Sequence, residues 1–184
     1  SPGNLYYHFR NKEDIILSIY NEYARSLLLE IFPVVSPEIK PLDAIIFYMD
    51  AVFQATSKYR FFYANLPVLL AKNPGLREKY IEVQQSLSVR VKDMMMLLRR
   101  AEMIRFEDDE LSDLVSLLRL VNTFWPSFYQ TQSFDAEINS GVFYEGVLKI
   151  IAILRPYTTE AALPAFKEAQ TMYRQRYQDE LALA

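Results

Sequence analysis

The 184-residue sequence has no cysteine, only four glycines and a single histidine. Without cysteine, disulfides and thiolate metal sites are excluded. So few glycines, with long segments between the prolines, favour helices over a β fold with many turns. The most apolar late stretch, VLKIIAIL at 147–154, is too short to span a bilayer and contains a lysine. We therefore expect an all-α protein with no membrane partner. Since no apolar signal segment opens the sequence, we expect it in the cytoplasm.

The common catalytic patterns are also missing. The sequence has no Gly-x-Ser-x-Gly motif and no glycine-rich phosphate loop. The acidic stretch EDDE at 107–110 stands where the N-terminus of a helix favours negative charge, and no second acidic cluster at metal spacing accompanies it. We therefore expect no catalytic residue, no metal and no cofactor, so that the protein is not an enzyme.

What the sequence does have is apolar surface. Hydrophobic residues make up 51% of the chain and aromatic residues 14%, which leaves room for an internal cavity or a buried subunit interface. The net charge of −3 argues against a surface that coats nucleic acid. Residues 1–12 are an exception, because they contain His8, Arg10 and Lys12 and no acid. Basic character is therefore local to the N-terminal end.

Apolar residues at helical spacing predict a series of helices. Ser1 and Pro2 begin a short helix that runs to about Phe9, and Asn11 caps a second helix that Pro33 ends. The segment FFYANLPVLLAKNPG predicts one or two short helical turns, broken by Pro67 and closed by an Asn-Pro-Gly turn. The remaining helices are expected at 42–58, from residue 76 for about eight turns, from 108 or 109 onwards, at 136–154 and at 159–181.

The opening stretch SPGNLYYHFRNKEDI suits a helix that inserts its N-terminal half into a major groove. Its first residues are small, so the backbone can come close to bases, and an asparagine can pair with a base edge. Hydroxyl, imidazole and ammonium groups then follow in positions where they can bind phosphate oxygens. The candidate DNA contacts are Pro2, Gly3, Asn4, Tyr6, Tyr7, His8 and Lys12.

This stretch closely resembles the recognition helix and following linker helix of TetR-family transcriptional regulators, whose motif is approximately G/S-x-x-x-L-Y-x-H/Y-F-x-x-K-E-x-L. The matching residues are Leu5, Tyr6, Tyr7, His8, Phe9, Lys12, Glu13 and Asp14. The resemblance implies that Leu5 and Phe9 pack inside a DNA-binding head while the candidate contacts face DNA. The two helices that precede this motif in the family are absent from the sequence, so operator binding is expected only when they are restored. The alternative is that residues 1–9 form an amphipathic cap with a buried aromatic pair.

More loosely, the strings FFYANLPVLL and NTFWPSF resemble one subgroup of TetR-type ligand domains. The resemblance implies a remnant of the helix-turn-helix domain at 1–10, a linker helix at 11–32, and a ligand-binding and dimerisation domain at 33–184. It also implies a homodimer, closed by a four-helix bundle, that binds a palindromic operator. The function implied is a one-component transcriptional regulator, a repressor released by a small ligand. The alternative is an all-α carrier of apolar ligands, or an adaptor dimer, that does not bind DNA.

The helix expected from about residue 108 is apolar over more than half of its circumference, and a patch of that size usually marks a partner surface. Gly141 and Gly146 would allow helices to approach closely. The candidate interface residues are Leu117, Val121, Phe124, Phe128, Gly141 and Val147. The alternative is that this surface belongs to a larger monomeric core.

Aromatic and methionine residues with a few polar neighbours predict a ligand pocket. Pro126 cannot donate to the carbonyl of Asn122, so the helix is expected to open beside Trp125. The candidate pocket residues are Phe53, Tyr63, Asn65, Tyr80, Gln84, Met94, Asn122 and Trp125. No arginine or lysine occupies a predicted inner position, which disfavours a strongly anionic ligand and favours an apolar or aromatic one. Each of these side chains has core packing as its alternative role.

Overall fold

The structure is a computed structural model that describes residues 9–30, 41–132 and 138–183. In this part of the chain it contains seven α-helices. They are α1 (Lys12–Arg25), α2 (Pro41–Lys58), α3 (Arg60–Lys72), α4 (Pro74–Arg100), α5 (Leu111–Gln130), α6 (Ser140–Leu154) and α7 (Leu163–Leu183). A π-helical turn, Ser26–Glu30, follows α1, and a 3₁₀ turn, Arg155–Tyr157, follows α6.

The all-α class expected from the sequence is confirmed. The described residues contain no β-strand beyond an isolated bridge between Ile104 and Thr158. None of their helices is both long enough and apolar enough to cross a membrane.

Asparagine side chains start three of the helices. Asn11, Asn73 and Asn139 each accept the backbone N–H of the third residue that follows, at 2.8, 2.9 and 3.3 Å. Each bond satisfies one of the N–H groups that a helix leaves free at its first turn. The cap predicted at Asn11 is therefore present. Asn73 was expected to close a turn, but it instead caps α4, and its amide also donates to the carbonyl of Glu13 in α1 at 3.2 Å.

Pro67 does not break the helix in which it lies, contrary to the prediction. Helix α3 runs without interruption from Arg60 to Lys72. A proline cannot donate to the carbonyl one turn earlier, which here belongs to Tyr63. The Ser127 hydroxyl of α5 donates to that carbonyl instead, at 2.6 Å. The acceptor that Pro67 frees is therefore satisfied by a neighbouring helix, and α3 can continue.

Three predicted helix starts were too early. Helix α6 begins at Ser140 rather than near residue 136, because Asn139 caps it. Helix α5 begins at Leu111, after a turn in which the backbone N–H of Glu107 donates to the Glu110 carboxylate at 2.7 Å. Helix α7 begins at Leu163 rather than near Thr159. The hydroxyl of Thr159 donates to the carbonyl of Glu102 at 2.7 Å, and its N–H donates to the carbonyl of Met103 at 3.0 Å. These bonds hold the segment against the loop after α4 and delay the helix.

The buried side chains form two clusters. The first, here called the α1 core, comprises Tyr20, Tyr23, Ala24, Leu27, Val52, Ala55, Tyr59, Phe62, Tyr63, Leu76 and Val83. The second, the α6 core, comprises Met95, Leu98, Ile104, Phe106, Leu114, Val115, Leu118, Ile150, Leu154, Ala162 and Phe166. The long helix α4 contributes to both cores, because it passes from one to the other along its length.

Candidate ligand pocket and subunit face

A cavity of about 60 Å³ lies between the two cores. Its wall takes Tyr23, Leu27, Val52 and Tyr63 from the α1 core. From the α6 core it takes Met95, Leu98, Leu118, Ile150 and Leu154. The rest of the wall is Tyr48, Met49, Gln84, Leu87, Val91, Met94, Arg119, Asn122 and Thr123. This is the composition of a small-molecule pocket, which is mostly apolar with a few placed polar groups.

One wall of the cavity carries a half-buried arginine. Arg119 of α5 donates through Nη2 to the Gln84 side-chain oxygen of α4 at 2.7 Å, and through Nη1 to the Ser88 hydroxyl. Its Nε is buried and has no hydrogen-bond partner among the residues that the structure describes. The expectation that no cation lies at an inner position was therefore wrong. The reason is that the polar sector of α5 faces α4 here, so that the arginine reaches across an apolar wall instead of into solvent.

A second polar group lies on the side of the cavity nearest α1. The Tyr23 hydroxyl is hydrogen-bonded to the Tyr63 hydroxyl of α3. Burial raises the pKa of both tyrosines above the usual value. Burial and the nearby Tyr63 also raise the pKa of Tyr48, against an opposing effect of Arg119. All three phenols are therefore neutral at physiological pH and can act as hydrogen-bond donors or acceptors.

Four of the predicted ligand residues lie together on the cavity wall. They are Tyr63, Gln84, Met94 and Asn122. Trp125 lines an adjoining cavity of about 20 Å³ that shares Asn122 with the larger one. The two cavities meet on the side of α5 that faces α6.

Two more predicted ligand residues, Tyr80 and Asn65, do not lie on this wall. Tyr80 packs in the α1 core, where its ring centroid is 6.2 Å from that of Tyr20. Asn65 is exposed on α3, and its amide donates back to the carbonyl of Phe61 at 3.4 Å. Asn65 was predicted as a polar group among apolar neighbours, but the continuous helix α3 turns this residue outwards. The Phe53 side chain lies outside the described residues.

The sequence did not single out four polar wall residues: Tyr23, Tyr48, Arg119 and Thr123. Tyr23 belongs to the apolar stripe of α1, and its spacing with Tyr20 and Leu27 signalled burial but no cavity. Arg119 stands among serines and threonines in a sector that suggests a solvated face. Only the position of α4 opposite that sector identifies it as a pocket residue.

A stripe of large apolar side chains is exposed along α5. Leu117, Leu120, Phe124 and Phe128 are 46%, 55%, 39% and 53% exposed, and their spacing places them on one face of the helix. We call these four residues the α5 stripe. Val121, another predicted interface residue, lies half-buried against the α6 core.

The predicted interface residues of α6 lie inside the chain. Gly141 is buried where a side chain would meet Tyr177 and Glu180 of α7 at 3.6 Å. Val147 is buried as well. Gly146 lets α6 approach α5 closely, because a Cβ atom there would stand 3.1 Å from the Trp125 ring. Close helix approach therefore occurs, but within one chain.

Of the predicted DNA contacts, only Lys12 falls in the described part of the chain, and the other candidates between Pro2 and His8 lie outside it. Lys12 is exposed at the start of α1, directly after the Asn11 cap. Helix α1 is anchored in the body further along, since Tyr20 and Tyr23 are almost completely buried. One helix therefore joins the end of the opening motif to the cavity.

Comparison with known proteins agrees with this arrangement. The family model described as "TetR: Bacterial transcriptional repressor" matches residues 23–166. The chain is also similar to a solved TetR-family transcriptional regulator from Marinobacter aquaeolei VT8, with a TM-score of 0.82 and 31% identity, over 94% of this chain and 82% of that one. No curated protein sequence matches the chain significantly. The protein therefore belongs to the TetR family of transcriptional regulators, which bind DNA, form dimers and are not enzymes.

Proposed function

We propose that the protein is a one-component transcriptional repressor that a small, largely apolar ligand releases from its operator. The observation that carries this proposal is the position of α1. Tyr23 of α1 and Leu27 of the π-helical turn form part of the cavity wall, while Lys12, at the other end of α1, belongs to the opening motif. A ligand in the cavity would therefore touch the helix that carries the DNA-binding head.

The size of the cavity supports a change of shape on binding. Pockets for small ligands usually enclose roughly 300–1,000 Å³, whereas this cavity has about 60 Å³. A ligand must therefore move the wall outwards. Met49, Met94 and Met95 can adapt to it, because their side chains are unbranched and flexible. Tyr23 and the π-helical turn are the wall elements through which the change would reach the head. Its effect on DNA affinity cannot exceed the difference in ligand affinity between the two shapes.

The α5 stripe is the surface that we propose for the dimer. A helix face with four exposed large apolar residues would be covered by the same face of a second copy. Two-fold symmetry of the heads then matches a palindromic operator with half-sites one DNA turn, or a multiple of it, apart. The cytoplasm, where a bacterial operator is accessible, is the place that this role implies.

Replacing Phe124 by aspartate tests the dimer. We expect the variant to sediment as a monomer at micromolar concentration, because a charge would be buried in the interface. Phe47→Asp is the matched control, since Phe47 is also exposed but lies on α2. The proposal would be wrong if the protein with native Phe124 sedimented as a monomer, or if both variants remained dimers.

DNA binding is tested on a protein in which this chain includes a complete three-helix DNA-binding head. The protein should shift a palindromic promoter fragment, with an affinity that falls steeply as salt increases. Tyr6→Ala and Lys12→Ala should weaken binding, and Lys12→Ala should also lower the salt slope by about 1. Lys92→Ala, an exposed lysine on α4, serves as the control. A protein that binds ligands but never shifts DNA would instead support the carrier alternative.

A further inference from the structure

We infer that the ligand carries one carboxylate group and that Arg119 binds it from the α5 wall of the cavity. The ligand class is then a monocarboxylate with an apolar chain or ring. This inference rests on the proposed function in one respect, because it specifies the ligand of the same cavity. Its evidence is the unusual state of Arg119.

Among the described residues, the Arg119 guanidinium has only neutral partners. Its two bonds go to the side-chain oxygen of Gln84 and the hydroxyl of Ser88. Ser88 is itself oriented, since its hydroxyl donates to the carbonyl of Gln84 at 2.9 Å. The buried Nε–H is left without an acceptor. Arg119 is therefore held in place by α4 while part of its donor set is unused.

The positive charge of Arg119 also has no counter-ion in the described residues. None of the ion pairs there includes it. A guanidinium remains charged at physiological pH, so it cannot reduce the cost of burial by releasing a proton. Even a half-buried charge loses part of its hydration, and without an opposite charge nothing in the described residues offsets that loss. The missing anion is what a ligand would supply.

The remaining wall determines what else the ligand carries. Around the arginine the cavity is lined by apolar side chains: Leu87, Val91, Met94, Leu98, Leu118 and Ile150. These fit an alkyl chain or an aromatic ring. A carboxylate matches the planar guanidinium and its single charge, whereas an alcohol would leave that charge unbalanced and an amine would add to it. The nearby phenols of Tyr48 and Tyr63 are neutral donors that could complete the binding of a carboxylate oxygen.

The single tryptophan makes this inference measurable. Trp125 lines the adjoining cavity, so its fluorescence should respond to a ligand in the larger one. The full chain would be titrated at neutral pH with octanoate, 1-octanol and octylamine, and with 4-phenylbutyrate and 4-phenyl-1-butanol as an aromatic pair. We expect each carboxylate to bind about 10- to 100-fold more tightly than its alcohol, which is the value of a hydrogen bond to a charged group.

Arg119→Met removes the charge and keeps an unbranched side chain. We expect its affinity for octanoate to fall by about 10- to 100-fold while its affinity for 1-octanol stays the same or rises. Arg119→Lys keeps the charge but loses the planar pair of donors, so its affinity for octanoate should fall less than that of Arg119→Met. Arg100→Met is the control, since Arg100 is exposed at the end of α4. The comparison of acid with alcohol on the native protein stands even if Arg119→Met does not fold.

Three results would overturn the inference. They are equal affinity for octanoate and 1-octanol, octanoate binding that Arg119→Met leaves unchanged, and a failure of every carboxylate probe to bind saturably. None of these measurements involves DNA, so the repressor proposal would survive them with a different ligand class. Conversely, if the protein failed to shift operator DNA, the repressor proposal would be wrong, but a preference for carboxylates in the fluorescence titration would still stand.

Discussion

The two cores on either side of the cavity are built from different side chains. Four tyrosines are buried in the α1 core, at positions 20, 23, 59 and 63. The buried residues of the α6 core are aliphatic, methionine, alanine or phenylalanine, and none is a tyrosine. Both cores exclude water, but only the α1 core must also find partners for phenol hydroxyls.

That requirement is met unevenly. The Tyr23 hydroxyl is bonded to that of Tyr63, whereas the Tyr20 hydroxyl is buried and has no partner. A polar group left unpaired in the interior lowers stability, and a hydrogen-bonded pair breaks when its two helices separate. The α1 core is therefore the half that rearranges more easily, and it is the half that contains the linker helix. The aliphatic α6 core provides the fixed side against which α1 can move.

Alkaline pH should produce the largest effect, through the α1 core. Burial raises the pKa of Tyr20 and Tyr23 well above 10 and that of Tyr63 above its usual value, and burial with the nearby Tyr63 raises that of Tyr80 to about 12. Below pH 10 these phenols are neutral in the folded and in the unfolded chain, so their contribution to the free energy of unfolding is fully present. As pH rises through 10 towards 12 and beyond, the unfolded chain releases protons that the folded chain still holds. The free energy of unfolding should therefore fall steeply above pH 10.

Denaturant titrations at a series of pH values would measure this loss, with helix content followed by circular dichroism. The part of the tyrosinate absorbance that comes from Tyr20, Tyr23 and Tyr63 should rise together with unfolding rather than before it, since these buried phenols ionise only when exposed. If these three tyrosines ionised near pH 10 in a chain that remained folded, the contrast between the two cores would be lost.

Truncating an aliphatic side chain should give the next largest effect, in the α6 core. Leu114 is 2% exposed and does not line the cavity. Leu114→Ala should lower the free energy of unfolding by about 2–5 kcal/mol, because it removes apolar contacts and leaves a void. Leu27→Ala should cost less, since Leu27 already borders empty space on the α1 side. Urea denaturation of both variants tests the comparison, with Leu181→Ala at an exposed position as the control. If Leu27→Ala lowered the free energy of unfolding as much as Leu114→Ala, the prediction would be contradicted.

How much of this could be predicted from the sequence depends on how local each feature is. The helical spacing and the Asn11 cap are local, and they predicted the all-α class and most of the helices. The continuity of α3 is not local. It depends on Ser127, which is 60 residues away from Pro67 in the chain and bonds the freed carbonyl of Tyr63.

The cavity shows the same limit more sharply. Asn122 and Gln84 were predicted as polar groups among apolar neighbours, and both lie on the wall. Arg119 was not among the predicted pocket residues, because the pattern of α5 alone cannot show that α4 covers its polar sector. The sequence also did not show which helix packs beside Gly146, because the Trp125 ring that lies there belongs to another helix. Helix faces follow from the sequence, whereas the partner of each face follows from packing.

The bonded tyrosine pair should give a smaller effect than either change above. Tyr23→Phe removes one hydroxyl of the Tyr23–Tyr63 bond and keeps the ring. We expect a loss of about 1 kcal/mol in the free energy of unfolding, the typical net value of such a bond. Chemical denaturation at neutral pH measures it. No loss would mean that the hydroxyl pair contributes nothing to the attachment of α1.

The smallest effect should have the opposite sign. Tyr20→Phe removes a buried hydroxyl that has no partner and keeps a ring packed 5.4 Å from that of Phe62, centroid to centroid. The variant should be more stable, by up to about 1 kcal/mol, because a desolvated polar group is removed without the loss of a bond. Two tyrosines three residues apart on α1 would then respond oppositely to the same chemical change. If Tyr20→Phe were as destabilising as Tyr23→Phe, the Tyr20 hydroxyl would have to be bonded in solution, and the α1 core would be as fully satisfied as the α6 core.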